Sequence, residues 1–459
     1  MQDKRDLPLM VVLYINAFAA AFNNNVINIA LTALMGEYAI DYATAQWAVS
    51  GFMIATVVTV IAMAFVYRRF PLRKVFAATQ GLFIAGGLLG LIAPSFAVLM
   101  VGRILQGAGV GFSMPMMANT VLIVARNENK GFMLAIGSTI ITLAPALAPT
   151  VSGLLVGAFG WHSVFVPGLA LAVLLLLAAI KLLRDVNEPQ PAHFDFASAA
   201  LLVLGLVPFC YALTRIVAAP LQAVGFGLVG FCILGAFVVR QNKLGDPFLN
   251  LQPIRSIDFW PACLMITVIL MTTFSITVVF PLYLQSGLGL SSAQAGVVLF
   301  VPVIFNTICA LSAGKLVDRF GPWPLIPIGF LLIAVGNVCL VFATGASGFT
   351  PVIVAGCLCL AGVGLTSSPT QTTALLPLDR RMYPHGVSLM TSFIQLAGCI
   401  APPLYVGVLN AVQAGQEAAG VAAQAAVASG SSAAYKVALV LSIVATCVGV
   451  VYCWRMRKY

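Results

Sequence analysis

Four asparagines lie close together in an apolar stretch near the N-terminus of the chain. Asn23, Asn24, Asn25 and Asn28 fall within six residues, and the residues around them are aliphatic or aromatic. An amide that faces hydrocarbon without a hydrogen-bond partner costs several kcal/mol, so these four cannot all face lipid. Some of them must line a hydrated cavity or bond to neighbouring helices.

Arg103 is the basic residue that lies deepest in a predicted membrane span, about one-third of the way across it at 1.5 Å per residue. Gln106 follows three residues later and therefore shares its helix face. A charge at this depth is costly and marks a functional site by default. We favour an Arg103 that faces an internal cavity over one that forms a purely structural ion pair.

The acidic residues are distributed differently. All thirteen fall in loops or at helix ends, so no carboxylate is predicted at mid-membrane depth. The three histidines, His162, His193 and His385, are predicted at interfaces or in a loop. A cavity with one guanidinium, many amides and no acid favours neutral or anionic amphiphiles, because an organic cation would find no carboxylate partner.

Other amides inside apolar runs extend the predicted cavity. The residues predicted to bind substrate or line the cavity are Asn23, Asn24, Asn28, Gln46, Arg103, Gln106, Asn119, Asn306, Gln371 and Gln395. No cluster of His, Asp and Glu suits metal or acid–base chemistry, and the ten cysteines form no C-x-x-C pair. The sequence therefore predicts no metal, no cofactor and no enzyme.

Apolar residues dominate the chain that must position these side chains. Of 459 residues, 61% are hydrophobic and 8% are charged, and the mean hydropathy is +1.05. This composition excludes soluble enzymes, secreted disulfide scaffolds and disordered chains, and predicts an all-α integral membrane protein embedded in the lipid bilayer. Fourteen spans are predicted near residues 8–35, 46–67, 74–94, 96–124, 131–158, 162–183, 195–215, 222–241, 258–285, 292–316, 322–343, 350–376, 386–411 and 435–456.

The net charge of +10 has a topological meaning in such a chain. The basic residues concentrate in every second loop, which predicts that both termini are cytoplasmic and that no nucleic acid is bound. The spans divide into six, two and six, and a turn after the second span, Arg69–Lys74, has an echo in Asp318–Trp323. Two related bundles around a central site are typical of transporters. We predict a six-helix bundle over 1–187, a two-helix insertion over 188–250 and a second six-helix bundle over 251–459.

Three short strings resemble motifs of one known family. They are Gly314-Lys-Leu-Val-Asp-Arg-Phe-Gly, Arg103-Ile-Leu-Gln-Gly-Ala-Gly and the stretch from Ala144 to Gly153 that contains Pro145 and Pro149. With them the whole chain resembles the major facilitator superfamily, and within it the fourteen-span drug:proton antiporters of the lincomycin-resistance type. The resemblance implies gating roles for Gly314, Asp318, Arg319, Pro145 and Pro149. The first-half echo has Ala64 and Arg68 in place of Gly314 and Asp318, so any latch there should be one-sided.

One departure from the family pattern bears on mechanism. The resembling proteins usually carry in span one an acid that couples transport to protons, whereas Asn23 and Asn24 occupy those positions here. An amide carries no proton at this site, so the usual coupling group is absent.

Two functions follow from these residues. The first is a monomeric exporter of small hydrophobic or amphiphilic compounds, multi-pass in the cell membrane of a bacterium, that works by alternating access. The second is a membrane sensor or scaffold that keeps the fold without transporting. Residues 412–434, rich in Ala, Gly and Ser, are predicted to form a long exterior loop without chemistry.

Overall fold

Helices form the whole framework, and the described residues contain no strand. The computed structural model describes residues 6–456 except 126–129, 188, 190–193, 246, 248, 346–347 and 379–381, and inside helices it leaves out the side chains of residues 64, 130–132, 134–135, 138–139, 142–143, 145–146, 318 and 383–384. A helix satisfies its backbone polar groups internally, which is what a segment in hydrocarbon requires. The predicted all-α membrane fold is confirmed.

The helical rods of the described chain are labelled α1 to α14 in chain order. Their bounds are α1 Asp6–Tyr38, α2 Trp47–Arg69, α3 Leu72–Ile92, α4 Phe96–Val124, α5 Lys130–Phe159, α6 Trp161–Leu182, α7 Phe196–Arg215, α8 Pro220–Lys243, α9 Trp260–Gly287, α10 Ser292–Phe320, α11 Pro322–Ala343, α12 Thr350–Leu375, α13 Tyr383–Ala418 and α14 Ala423–Met456. Within the described ranges, thirteen segments are long and apolar enough to cross a membrane, and α5 contributes a shorter apolar stretch, Leu147–Phe159. The count of fourteen spans stays a prediction.

The same packing pattern occurs in two sets of six helices. In the first set α1 packs on α4, α5 and α6, and α3 packs on α4 and α6. In the second set α9 packs on α12, α13 and α14, and α11 packs on α12 and α14. The two sets, called here the first and second bundles, are therefore built as repeats. Their boundaries at residues 187 and 250 stay predictions.

Ion pairs mark the same end of both bundles. Arg184, just after α6, pairs with Asp6 at the start of α1, and Arg455 Nη2 in α14 lies 3.0 Å from Asp258 Oδ1 just before α9. We call this end the terminus side and the opposite end the far side. That the terminus side is cytoplasmic stays a prediction.

The two bundles meet along two main seams. One joins α5 of the first bundle to α10 of the second, and the other joins α2 to α13. The inserted hairpin of α7 and α8 lies beside the second seam, where α7 packs on both α13 and α2. Its tightest approach is to α13, since a Cβ on Gly407 would lie 2.5 Å from the Leu213 carbonyl oxygen.

Two predicted spans are not continuous α-helices. In α1 the α-helix ends at Asn25, and a 3₁₀ turn over Asn28–Ala30 precedes the last segment, Leu31–Tyr38. In α9 two π-helical segments, Ser275–Val279 and Tyr283–Gly287, interrupt the rod around Pro281. A proline removes a backbone donor, and π-helical turns accommodate such a break.

The predicted exterior loop over 412–434 is wrong. α13 continues to Ala418 and α14 begins at Ala423, so a helical hairpin replaces the loop, with Gly420 at φ +82° in the turn. Alanine has the highest intrinsic helix propensity, and this segment contains many alanines. The segment was predicted as a loop because its residues are small and it lacks the long hydrophobic side chains that mark a membrane span.

The α7–α8 hairpin is fastened on the terminus side by one carboxylate. Asp195 caps α7 by accepting from the Ser198 backbone N–H at 3.1 Å, and its two oxygens accept from Arg240 Nη2 at 2.8 Å and Nε at 3.1 Å. The Arg240 hydrogen bonds lower the pKa of Asp195 to about 2.

We expect Asp195→Asn to lower the thermal unfolding midpoint at neutral pH, because the amide keeps the cap and loses the charge pair. A carboxyl whose pKa falls on folding stabilises the protein above its unfolded pKa of about 3.9. The difference between wild type and variant should therefore shrink as the pH falls from 4 towards 2. Unfolding scans in detergent at both pH values measure it, with Asp41→Asn, another helix cap, as the control. Equal midpoints at neutral pH would contradict this assignment.

Candidate functional site: a polar cluster and a far-side seal

Arg103 is completely buried inside the first bundle. Its Nε donates to the Ala48 carbonyl oxygen at 3.1 Å, its Nη1 donates to Gln106 Oε1 at 3.0 Å, and its guanidinium lies 4.1 Å from the centre of the Phe52 ring. These contacts come from α2 and from the next turn of α4. The predicted proximity of Arg103 and Gln106 thus appears as a direct hydrogen bond.

Four more of the predicted cavity residues are buried near this level of the first bundle: Asn23, Asn28, Gln46 and Gln106. The Gln106 side chain lies against Gly86 and Gly87 of α3, and the Asn23 side-chain oxygen lies near Gly168 of α6. Each of the four retains at least one buried amide atom without a hydrogen-bond partner in the described chain. In this conformation these amides are buried, and the turn that contains Asn28 also contacts α9 and α10 of the second bundle.

The other predicted cavity residues are accessible. Asn24, Asn119, Asn306 and Gln395 are half-buried and Gln371 is exposed. They belong to α1, α4, α10, α13 and α12, so both bundles contribute. Asn119 and Gln371 lie in the terminus-side parts of their helices. The ten residues predicted as one lining therefore divide into a buried set and an accessible set.

The far side of the α5–α10 seam is closed by backbone contact. A Cβ on Gly153 would lie 2.5 Å from the Ser292 carbonyl oxygen, and one on Gly296 would lie 2.5 Å from the Pro149 carbonyl oxygen. Thr150 Oγ1 also donates to the Gly296 carbonyl oxygen at 3.2 Å. Pro149 is buried in this contact. The side chain of Pro145 is outside the described part.

Gln285 joins the bundles beside this seal. Its Oε1 accepts from Thr32 Oγ1 of α1 at 2.8 Å and from Ser292 Oγ of α10 at 2.9 Å, and its Nε2 donates to the Ile29 carbonyl oxygen at 3.4 Å. Tyr42 OH adds a bond of 3.3 Å to the Val278 carbonyl oxygen. Sequence reasoning missed both residues as bridging groups. The available sequence signal was Pro281 alone, four residues before Gln285.

The predicted gating turn on the terminus side is less closely packed. A Cβ on Gly314 would meet no described atom within 4 Å, so no described part of a neighbouring helix approaches this glycine closely in this conformation. Arg319 is exposed, with its guanidinium 5.1 Å from the Phe320 ring centre. Gly321 adopts φ +77° where α10 ends and α11 begins, a conformation that favours glycine. The Asp318 side chain lies outside the described residues, as does that of Ala64.

A family model described as "Major Facilitator Superfamily" matches residues 13–402. The chain belongs to the major facilitator superfamily. The Listeria monocytogenes serovar 1/2a protein named "Lincomycin resistance protein LmrB" is 28% identical over 100% of this chain and 98% of its own length. The Bacillus subtilis protein of that name is 29% identical over 90% and 87%. A crystal structure of a bacterial homologue of the lysosomal transporter Spinster matches 100% of this chain and 99% of its own, with TM-score 0.72 and 14% identity.

Membership in the superfamily makes this chain a membrane transporter related to drug-resistance exporters, multi-pass in a bacterial cell membrane. The predicted family and main function are confirmed. The roles of the individual residues stay predictions. Across the described residues there is no group of three His, Cys, Asp or Glu side chains that could hold a metal ion.

We predict that Gly153→Ala disfavours closure of the far side. The new methyl group meets a backbone oxygen, and such overpacking costs about 1–3 kcal/mol, a roughly five- to hundredfold change in the ratio of two conformations. Thiol labelling of a single cysteine placed at Thr32, in a background without the native cysteines, should become faster. Gly157→Ala is the matched control, because its methyl group would meet only Ala293 Cβ at 3.4 Å. Equal acceleration in both variants would contradict a role specific to the Gly153 contact.

Proposed function

We propose that the chain exports small amphiphilic compounds, neutral or anionic in preference to cationic, by alternating access. The observation that carries this proposal is the asymmetry of the interface between the bundles. Glycine backbones touch on the far side, whereas a Cβ on Gly314 of the terminus side would meet no described atom within 4 Å. An arrangement of this kind suits a transporter closed at one end.

The names of the relatives support the substrate class. Proteins of similar length that are named for lincomycin resistance align over nearly the whole of this chain. Amide and apolar side chains, such as those predicted to line the cavity, suit an antibiotic-like compound. Among the described residues no carboxylate lies within ion-pair distance of Arg103. This supports the expected discrimination against organic cations.

Proton coupling through span one is not part of the proposal. Asn23 is buried and Asn24 is half-buried, so both amides lie inside the protein where relatives of this type carry an acid. An asparagine at either position neither binds nor releases a proton. The flux should then follow the substrate gradient.

The interrupted helices favour transport over a scaffold role. The break in α1 and the π-helical segments of α9 both lie beside the far-side contacts formed by Gln285. Breaks of this type allow one part of a rod to bend against the other. A scaffold has no need for them. The proposal includes no catalytic step.

The proposal predicts a flux that is insensitive to a pH gradient. Proteoliposomes are loaded with lincomycin or with a panel of neutral, anionic and cationic amphiphiles, and release is measured with and without an imposed gradient. We expect release of neutral or anionic compounds at rates that agree within about twofold. Strict dependence on the gradient would contradict the coupling argument, and no release of any compound would favour the scaffold.

Asn24→Glu tests the missing acid directly. A carboxyl at this half-buried position should make the flux dependent on the pH gradient and should admit organic cations. Asn306→Glu in the second bundle is the control, since it adds the same group on the opposite side of the interface. If both variants acquire the dependence, the effect is general and position 24 has no special role.

A further inference from the structure

Arg103 is a buried charge without a counter-charge. All of its described partners are neutral: a carbonyl oxygen, a side-chain amide oxygen and an aromatic ring. Its Nη2 is buried and has no hydrogen-bond partner. The ion pairs of the described chain involve Asp6, Glu37, Asp195 and Asp258, and none of them includes Arg103.

This arrangement is energetically incomplete. A guanidinium stays protonated at any ordinary pH, and a buried charge without an opposite charge is strongly destabilising. A water molecule at Nη2 would satisfy a hydrogen bond and leave the charge uncompensated. The site therefore needs a negative charge that the described protein does not supply.

The unpartnered groups around Arg103 include further N–H donors. Gln106 Nε2 belongs to the amide whose oxygen already accepts from Arg103, and it has no partner of its own. Donors without acceptors, next to a positive charge, suit an anion.

We propose that a small monoanion, a halide ion or a single carboxylate group, binds at Arg103 Nη2 between α2 and α4, with the amide of Gln106 as an additional donor. One negative charge balances the one guanidinium. The size is limited because a Cβ on Gly107 would lie 2.3 Å from the Phe52 carbonyl oxygen, so the two backbones touch beside the site. The assignment concerns the protein at rest and does not depend on the substrate preference proposed above.

The test measures stability, so it does not depend on transport. Thermal unfolding of the purified protein in detergent is followed in sodium chloride, in sodium acetate and in the sodium salt of a bulky sulfonate that carries no carboxylate, at equal ionic strength. We expect the midpoint to rise with chloride or acetate and to saturate, relative to the bulky sulfonate. A response to chloride identifies an inorganic ion as sufficient, whereas a response to acetate alone identifies a carboxylate of substrate type. No response to either overturns the proposal.

Gln106→Glu is the decisive variant. The glutamine oxygen is already 3.0 Å from Arg103 Nη1, so the substitution builds a carboxylate into the site with almost no change of shape. We expect the dependence on the added anion to disappear. Gln395→Glu, which adds an acid at a half-buried position of α13 in the other bundle, should retain the dependence. If Gln106→Glu keeps the full response to chloride or acetate, the anion binds elsewhere and the assignment to Arg103 is wrong.

Discussion

Hydrocarbon offers no hydrogen bonds, and the polar side chains of this protein are arranged under that constraint. Arg103, Gln106 and Asn23 are buried inside the first bundle, against α2, α3 and α6 respectively. The same constraint explains why the framework is helical and why the helix breaks lie where two bundles cover them. Several buried amide atoms nevertheless lack partners.

The far-side seal shows how a small contact area can control a large motion. Gly153 and Gly296 bring two backbones together without side chains between them, and the bonds of Gln285 close the neighbouring gap between α1, α9 and α10. Both contacts are polar or backbone in character, so little apolar area must be exposed to water when they separate. On the terminus side Gly314 has no close neighbour among the described atoms. The two ends of the interface are therefore unequal in this conformation.

Much of the fold could be predicted because hydropathy identifies the segments that lie in lipid, and the basic loops indicate how those segments are oriented. Twelve of the predicted spans lie on continuous rods, and the interruptions of α1 and α9 depend on tertiary contacts that no local pattern contains. The helical hairpin after Ala411 was missed because alanine suits both a solvated helix and a loop of small residues. For the site, residue type indicated which side chains need a partner or water, and it did not indicate which of them are buried. Arg103 and Gln46 are as polar as the other predicted cavity residues. The packing of neighbouring helices, which the sequence does not contain, buries both of them.

The two bundles repeat each other in packing and differ in chemistry. At the centre of the second bundle the buried groups without partners are neutral, among them Asn337, Tyr405 and Tyr435, whereas the first bundle buries a permanent charge. A neutral polar core can be hydrated or dehydrated as helices shift, at moderate cost. A guanidinium core cannot be left without an opposite charge in either state. Whatever neutralises Arg103 must therefore stay with it or be exchanged through an opened seam. Because of this requirement, a ligand of the first bundle can bias the choice between conformations.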